Sequence, residues 1–196
     1  MDERRLLILR HPETEANVTG CWVGRGDAPY TERGRGQVIL LAQEIEAFEP
    51  DAIWSSPLRR CREVAEAASA LTGVEPVYED RLQEMDFGQA EGLTYDETVK
   101  RNIRFDFKSE DLPVAPGGES RRDIFDRTAR ALDGLMATGA SRMVVVTHGG
   151  VFRSTVPNML GLPLSSIWSF HIANAAFLEY RIIEDFCHVE RFGSLG

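Results

Sequence analysis

The chain has 196 residues, of which 43% are hydrophobic and 27% are charged, a composition typical of a globular protein. Lysine and arginine number 22 against 31 aspartates and glutamates, so the formal net charge at neutral pH is −9. This charge argues against a general binder of nucleic acid or of anionic membranes. No apolar run approaches the ~20 residues that a membrane-spanning helix needs. We expect a single domain over residues 1–196, without a secretory signal. Three scattered cysteines without a C-x-x-C pair favour a cytoplasmic protein with reduced thiols.

Short apolar runs alternate with helical patterns along the chain. The runs at 6–9, 51–55 and 143–147 predict strands that are buried on both faces of a parallel sheet. Two further strands are expected at 174–181 and 186–192. Apolar residues spaced three or four apart predict three helices, across residues 38–48, 58–71 and 124–135. The alternation predicts an α/β fold, a three-layer sandwich whose mostly parallel central sheet carries helices on both faces.

Two of these helices have sequence signals at their starts. Ser56 followed by Pro57 is typical of an N-cap with proline at the first helical position. Ser120, with Asp123 three residues later, is typical of a similar start. Residues 88–118 show weak periodicity and end in a stretch rich in proline and glycine. We expect them to form a partly helical excursion over one end of the sheet, of the kind that often forms a lid.

Cationic and imidazole side chains follow the three predicted central strands. Arg10 and His11 follow the first, Arg59 and Arg60 lie just after the second, and His148 follows the third. Because ligands of such folds bind outside the carboxyl ends of the strands, we expect these groups to meet there. Arginine is almost never buried without a partner. Its planar guanidinium pairs well with phosphate, so the pattern predicts an anion site, and phosphate in particular.

The other histidines and arginines are expected to have structural or surface roles and not catalytic ones. His171 and His188 are expected to be structural or surface residues, since an isolated histidine is more often satisfied than catalytic. The arginine-rich stretches at 33–35 and 121–122 are expected to lie on solvated faces of the protein.

The sequence lacks the motifs of several other classes of enzyme and metal-binding protein. The cysteines are three in number and scattered, which predicts neither a disulfide framework nor a structural zinc site. The sequence contains no P-loop, no G-x-S-x-G elbow and no H-E-x-x-H helix. It also lacks the spacings of cysteine phosphatases and of D-x-D phosphatases. We expect no metal site, because the four histidines show no ligand spacing, and no cofactor.

The motifs together resemble the histidine phosphatase superfamily, also called the phosphoglycerate-mutase-like family. The opening LRHPETEAN at 9–17 is similar to the family's R-H-G-E-T-x-x-N. The resemblance continues in order at SSPLRRC (55–61), LQEMDFG (82–88), PGGES (116–120) and VTHGGV (146–151). Each block is weak by itself, but their order across nearly the whole chain is highly specific.

The resemblance implies a role for each matched residue. His11 would be the nucleophile that becomes phosphohistidine, and Glu84 the general acid that protonates the leaving alkoxide and then activates water. The phosphoryl oxygens would be held by Arg10, Arg60 and His148, with Asn17 assisting. These roles suit the chemistry, because nearby guanidinium charges favour a neutral, nucleophilic imidazole and stabilise the charge of a phosphoryl transition state.

Departures from the family pattern bear on the substrate. Pro12 replaces a glycine and removes one backbone N–H near the phosphate, a change that we expect to be tolerated. Met85 stands where the mutases carry an arginine, and Val23 stands where they tend to carry a hydroxyl. Both favour phosphomonoester hydrolysis over mutase activity. Val23 and Met85, with Gly24 and Gly149, are the candidate substrate-binding residues, and a small phosphorylated metabolite is the expected partner.

Alternative functions remain open at this point. The GCWVGR segment at 20–25 is faintly similar to α-ribazole 5′-phosphate phosphatases. A cofactor-dependent phosphoglycerate mutase is a second alternative, and a scaffold that binds a phosphorylated ligand without turnover is a third. A general acid at Glu84 together with His11 favours an enzyme over that scaffold. A homodimer is expected from the family resemblance alone.

Overall fold

A computed structural model of the protein describes residues 3–184 and 186–196. The strands are β1 (Glu3–Arg10), β2 (Ala52–Ser55), β3 (Pro76–Tyr78), β4 (Arg142–Thr147), β5 (Ala176–Ile183) and β6 (Phe186–Ser194). The α-helices are α1 (Glu15–Thr19), α2 (Glu32–Phe48), α3 (Arg59–Thr72), α4 (Tyr95–Lys100), α5 (Arg121–Met136) and α6 (Gly149–Leu160). Short 3-10 helices span Asp80–Leu82, Gly88–Ala90 and Leu164–Ser169. None of the helices in the described ranges is long and apolar enough to cross a membrane.

The strands form one six-stranded sheet in the order β3-β2-β4-β1-β5-β6. β3, β2, β4 and β1 pair in parallel, whereas β5 pairs antiparallel with β1 and β6 pairs antiparallel with β5. The predicted mostly parallel sheet is therefore confirmed. Strand β3 was not predicted, because three residues at an edge are too short to show a period.

Helices cover both faces of the sheet, which confirms the three-layer architecture. Leu6 and Ile8 of β1 pack into one core cluster with residues of α5 and α6. Leu7 and Leu9 pack into a second cluster with residues of α2 and α3. Alternate side chains of a strand point to opposite faces, so a wholly apolar strand is required wherever both faces are covered. This burial fixes β1, β2 and β4 at the centre and aligns their carboxyl ends.

The two predicted helix starts differ in outcome. Ser120 is confirmed as the N-cap of α5, because its hydroxyl accepts from the backbone N–H of Asp123 while the carboxylate of Asp123 accepts from Ser120. The Ser56 cap was wrong: α3 begins at Arg59, after Leu58, which provides no side-chain cap. The reason is that the backbone N–H of Ser56 still donates to Val146 of β4, so the extended chain continues past the end of β2.

The arginine-rich stretches also differ in outcome. Arg33 and Arg35 are exposed on α2, as predicted. For Arg121 the prediction was wrong, since this side chain is only 5% exposed. Its guanidinium donates to the carbonyls of Lys108 and Ser109, and so it attaches the excursion to the start of α5.

Candidate active site

The carboxyl ends of β1, β2 and β4 bring the predicted site residues together. The backbone N–H of His11 donates to the carbonyl of Thr147 over 2.9 Å, and that of Ser56 donates to Val146 over 3.0 Å. These bonds extend the sheet pairing by one residue beyond each strand. As a result, the rings of His11 and His148 lie with their centroids 5.2 Å apart.

His11 is held as a neutral imidazole with one nitrogen free. The ring is 3% exposed, and its Nδ1 lies 2.7 Å from the carbonyl oxygen of Pro12. Because a carbonyl only accepts, Nδ1 carries the proton and Nε2 carries the lone pair. Burial, followed by the charges of Arg60 and Arg10, holds the pKa of His11 well below its usual value. Nε2 is therefore available for nucleophilic attack.

Pro12 takes part in the site through its carbonyl. The Pro12 carbonyl oxygen fixes the His11 tautomer and also accepts from the side-chain amide of Asn174 over 3.3 Å. The amide oxygen of Asn17 accepts from the same Asn174 side chain over 2.9 Å, and from the backbone of Thr14 over 3.0 Å. Asn17 is exposed, and it links the start of α1 to the loop that carries His11.

Arg10 is a half-buried cation with unused hydrogen-bonding capacity. Its Nη1 donates to the carbonyl of Ile172 over 2.5 Å, but its Nε is buried without a partner among residues 3–184 and 186–196. Burial lowers the pKa of Arg10 to about 10. Because buried polar groups normally have partners, an anion at this position would satisfy both the N–H and the charge.

Arg60 links the region after the second strand to His148 and to the loop at residues 24–26. Its Nη2 and Nη1 donate to the carbonyls of Gly24 and Gly26 over 2.6 and 2.7 Å, and its Nε donates to Nδ1 of His148 over 3.1 Å. Gly24 requires glycine, since a Cβ there would lie 2.2 Å from the carbonyl oxygen of Met85. The structure therefore places Gly24 and Met85 in backbone contact beside the cluster, and Val23, half-buried, next to them in the chain.

His148 belongs to the cluster, but both of its ring nitrogens have protein partners. Because Nδ1 accepts from Arg60, the proton is on Nε2, which lies 2.7 Å from the hydroxyl of Ser56. Burial and then the charge of Arg60 hold the pKa of His148 well below its usual value. For His148 to donate to a phosphoryl oxygen, its Nε2–H has to leave Ser56. Ser56 lies in the SSPLRRC motif, but its contact with His148 was not predicted from the sequence.

Glu84 is positioned by two backbone N–H groups, that of the next residue and that of Gly150 at the start of α6. Its Oε1 accepts from Met85 over 2.8 Å and from Gly150 over 3.0 Å. The residue is 8% exposed. A Cβ at position 150 would lie 2.4 Å from Oε1, so this close approach requires glycine. The structure thus explains the second glycine of the HGG motif, which sequence reasoning did not assign.

A buried arginine that sequence reasoning missed holds the segment bearing Glu84. Arg127 of α5 donates to the carbonyls of Arg81, Gln83 and Glu84 over 2.6–3.1 Å and forms an ion pair with Glu119 at 2.8 Å. Three carbonyls of one loop therefore share one guanidinium, which fixes the loop against α5.

A cavity of about 500 Å³ adjoins Glu84. Its apolar wall consists of Met85 and the aromatic side chains Trp22, Phe87, Phe107 and Trp168. Phe107 comes from the excursion, and its ring and that of Phe105 stack with centroids 5.5 Å apart. Gly150 and Arg153 also line the cavity, and Arg153 is a second arginine that was not predicted from the sequence.

The remaining histidines lie at the surface. His188 on β6 is half-exposed and lies 3.3 Å from Glu190, which confirms the expected structural or surface role. His171 is exposed as expected, but it lines the rim of the cavity. Within the described ranges, no cluster of three or more histidine, cysteine, aspartate and glutamate side chains has the arrangement of a metal site.

Comparison with known proteins agrees with this geometry. The family model "Histidine phosphatase superfamily (branch 1)" matches residues 6–194. Phosphoserine phosphatase 1 of Hydrogenobacter thermophilus is 32% identical over 177 residues, covering 88% of this chain and 84% of the relative. A mycobacterial glucosyl-3-phosphoglycerate phosphatase structure superposes with a TM-score of 0.83 at 28% identity, covering 98% of this chain and all of that one. The α-ribazole phosphatase of Shigella flexneri gives a TM-score of 0.85 at 23% identity, covering 97% and 96% of the two chains; this likeness concerns the fold alone.

Proposed function

The chain belongs to the histidine phosphatase superfamily and is a phosphatase, and we propose that it hydrolyses small phosphomonoesters through a phosphohistidine formed on His11. The observation that carries the proposal is the His11 ring itself, whose Nδ1 is held by Pro12 at 2.7 Å. That bond leaves the Nε2 lone pair free, and the depressed pKa keeps it free at neutral pH.

The first half-reaction transfers the phosphoryl group to the protein. Nε2 of His11 forms a bond to phosphorus while the bond from phosphorus to the ester oxygen breaks. Protonated Glu84 gives its proton to the leaving oxygen, so that an alcohol departs and Glu84 becomes a carboxylate. Arg10, whose Nε is buried and unpartnered within the described residues, stabilises the charge on the phosphoryl oxygens.

The second half-reaction returns the protein to its starting state. Glu84 removes a proton from a water molecule as that water attacks phosphorus, and the bond between phosphorus and Nε2 breaks. Inorganic phosphate leaves, with His11 neutral and Glu84 protonated again. Arg60 and His148 assist in both halves, with the Nε2–H of His148 turning from Ser56 to a phosphoryl oxygen. Asn17 supports the loop that carries His11.

The substrate candidates come from the relatives and from the cavity. Phosphoserine and glucosyl-3-phosphoglycerate are named by the relatives, and both are small phosphorylated metabolites. Mutase activity is disfavoured because Met85 is fully buried and brings no charge for a second anionic group. We further propose that the protein works in the cytoplasm, in keeping with its free cysteines Cys21, Cys61 and Cys187. The homodimer stays a prediction, to be checked by light scattering.

The test is phosphate release from a panel of phosphomonoesters in the presence of EDTA. The panel includes an aryl phosphate, phosphoserine, 3-phosphoglycerate and α-ribazole 5′-phosphate. His11→Ala is expected to lower kcat by at least about 10³-fold, because it removes the nucleophile. His188→Ala, at the surface of β6, is the matched control and is expected to retain activity. Full activity of His11→Ala, or a turnover that EDTA abolishes, would contradict the mechanism.

A further inference from the structure

Arg153 is a half-buried cation that the proposed mechanism does not use. It lies in the second turn of α6, where its Nε donates to the carbonyl of Phe170 over 2.9 Å. Within residues 3–184 and 186–196, no carboxylate lies within ion-pair distance of its guanidinium, and no protein group accepts from Nη1 or Nη2. A guanidinium has five N–H donors, so four of them are free for a ligand in the cavity.

Arg153 lies beside the reaction centre. A Cβ built on Gly149 would be 3.1 Å from Nη1 of Arg153 and 3.4 Å from Nε of Arg10. The two guanidinium groups thus flank the same backbone position. Arg153 also shares the cavity with Glu84, the group proposed to protonate the leaving oxygen. It is therefore close to the alcohol part of an ester whose leaving oxygen Glu84 protonates.

The surroundings of Arg153 strengthen its attraction for an anion. Its guanidinium carbon is 5.7 Å from the centre of the Trp168 ring, and Phe107 meets Trp168 edge to face at 6.0 Å. Aromatic neighbours lower the local dielectric, which increases the energy of an ion pair. Burial lowers the pKa of Arg153, while the charge of Glu84 opposes that change.

The geometry of the free donors indicates the kind of anion. A planar guanidinium fork binds carboxylate or phosphate through two parallel hydrogen bonds. Arg153 is a single cation, and a second phosphate would bring close to two negative charges. One carboxylate matches one free guanidinium. We propose that Arg153 binds a carboxylate on the alcohol part of the substrate, with the rest of that alcohol against the aromatic wall; the inference rests on the proposed hydrolysis.

The test compares matched esters with and without a carboxylate. Phenyl phosphate and 3-carboxyphenyl phosphate release phenolates of nearly equal basicity, so the chemical step is comparable in both. Phosphoethanolamine and phosphoserine form an aliphatic pair. The measured quantity is the ratio of kcat/KM for the carboxylated ester to kcat/KM for its partner without the carboxylate. Arg153→Gln is expected to lower this ratio roughly 30-fold, the size of a charge-assisted hydrogen-bond pair.

Two further variants serve as controls. Arg62→Gln makes the same substitution on the exposed face of α3, where Arg62 faces Glu66, and is expected to leave the ratio unchanged. Arg153→Lys keeps the charge but loses the planar fork, so a smaller fall of roughly 5-fold is expected. This variant carries the test if Arg153→Gln does not fold.

The outcomes separate the inference from the function on which it rests. A selective loss for the carboxylated esters supports the subsite. An equal loss for both members of each pair would overturn it, because Arg153 would then act on the shared phosphoryl group or on the fold. Activity of Arg153→Gln equal to that of the wild type on both esters would also overturn it. Folded wild-type protein that releases phosphate from none of these esters would contradict the hydrolase function itself, and the inference with it.

Discussion

Replacing Gly150 with alanine displaces the carboxyl group of Glu84 without removing any charged side chain from the protein. A Cβ at this position would lie 2.4 Å from Glu84 Oε1 and 2.9 Å from Cδ1 of Ile124. Glu84 has little freedom to move aside, because Oε1 accepts from the backbone of both Met85 and Gly150. The substitution therefore tests whether catalysis depends on where this carboxyl group is held.

The expected size of the effect follows from these distances. To reach an ordinary contact of about 3.4 Å, Oε1 has to move by about 1 Å. Misplacing a catalytic group by that much costs about 100-fold in rate. Overpacking of the site by one methyl group also lowers the free energy of unfolding by about 1–3 kcal/mol.

The assay compares leaving groups. An alkyl phosphate needs a proton on its departing oxygen, whereas 4-nitrophenyl phosphate leaves as a stable anion. We expect Gly150→Ala to lower kcat/KM about 100-fold for the alkyl ester and much less for the nitrophenyl ester. The control is Gly36→Ala in α2, where a Cβ meets no atom within 4 Å; it is expected to raise the free energy of unfolding by about 0.5–1 kcal/mol. Equal losses for the two esters would refute the role given to Glu84.

Two further predictions concern stability. Arg127→Met leaves the carbonyls of Arg81, Gln83 and Glu84 without this donor and removes the ion pair with Glu119. It is expected to lower the free energy of unfolding by about 3–5 kcal/mol in urea; a change below about 1 kcal/mol would contradict this. His11 and His148 stay neutral in the folded protein, whereas unfolded histidine titrates near pH 6.5. The unfolded state therefore binds more protons as the pH falls below that value. As the pH falls, the two groups together should lower the free energy of unfolding by about 2.5 kcal/mol per pH unit near pH 5.5, and by nothing above about pH 7.5. If His11→Gln left this slope unchanged, the prediction would be contradicted.

The fold could be predicted from the sequence because buried strands and helices have clear patterns of apolar residues. β1 has apolar side chains on both faces, and the helices on each side show regular apolar spacing. The misses have physical reasons. β3 is a three-residue edge strand, and α3 begins two residues later than the serine–proline signal because Ser56 still pairs with β4. A local N-cap motif cannot show that the preceding strand continues past its predicted end, so the helix start was predicted too early.

The candidate site was only partly predictable. Motif residues such as His11 and Glu84 could be assigned through the resemblance, but the groups that hold them are backbone atoms, which no residue type reveals. Arg121 was predicted to lie on a solvated face and Arg127 was not singled out, because the carbonyls that hold them are supplied by the folded chain and not by a local motif. For Arg153 a signal existed: it lies three and four residues after Gly150 and Gly149, so a helix places it on the same face as the site.

The central claim is that the phosphoryl group passes through His11, and trapping the intermediate tests it most directly. Protein is mixed with a ³²P-labelled aryl phosphate and quenched in alkali, in which phosphohistidine survives, and the labelled peptide is identified by mass spectrometry. Glu84→Gln is included because it lacks the base for the second step and should accumulate label. The account predicts label on His11 in the wild type, more of it in Glu84→Gln, and none in His11→Ala. Label that persists in His11→Ala, or turnover by the wild type with no label in any variant, would contradict it.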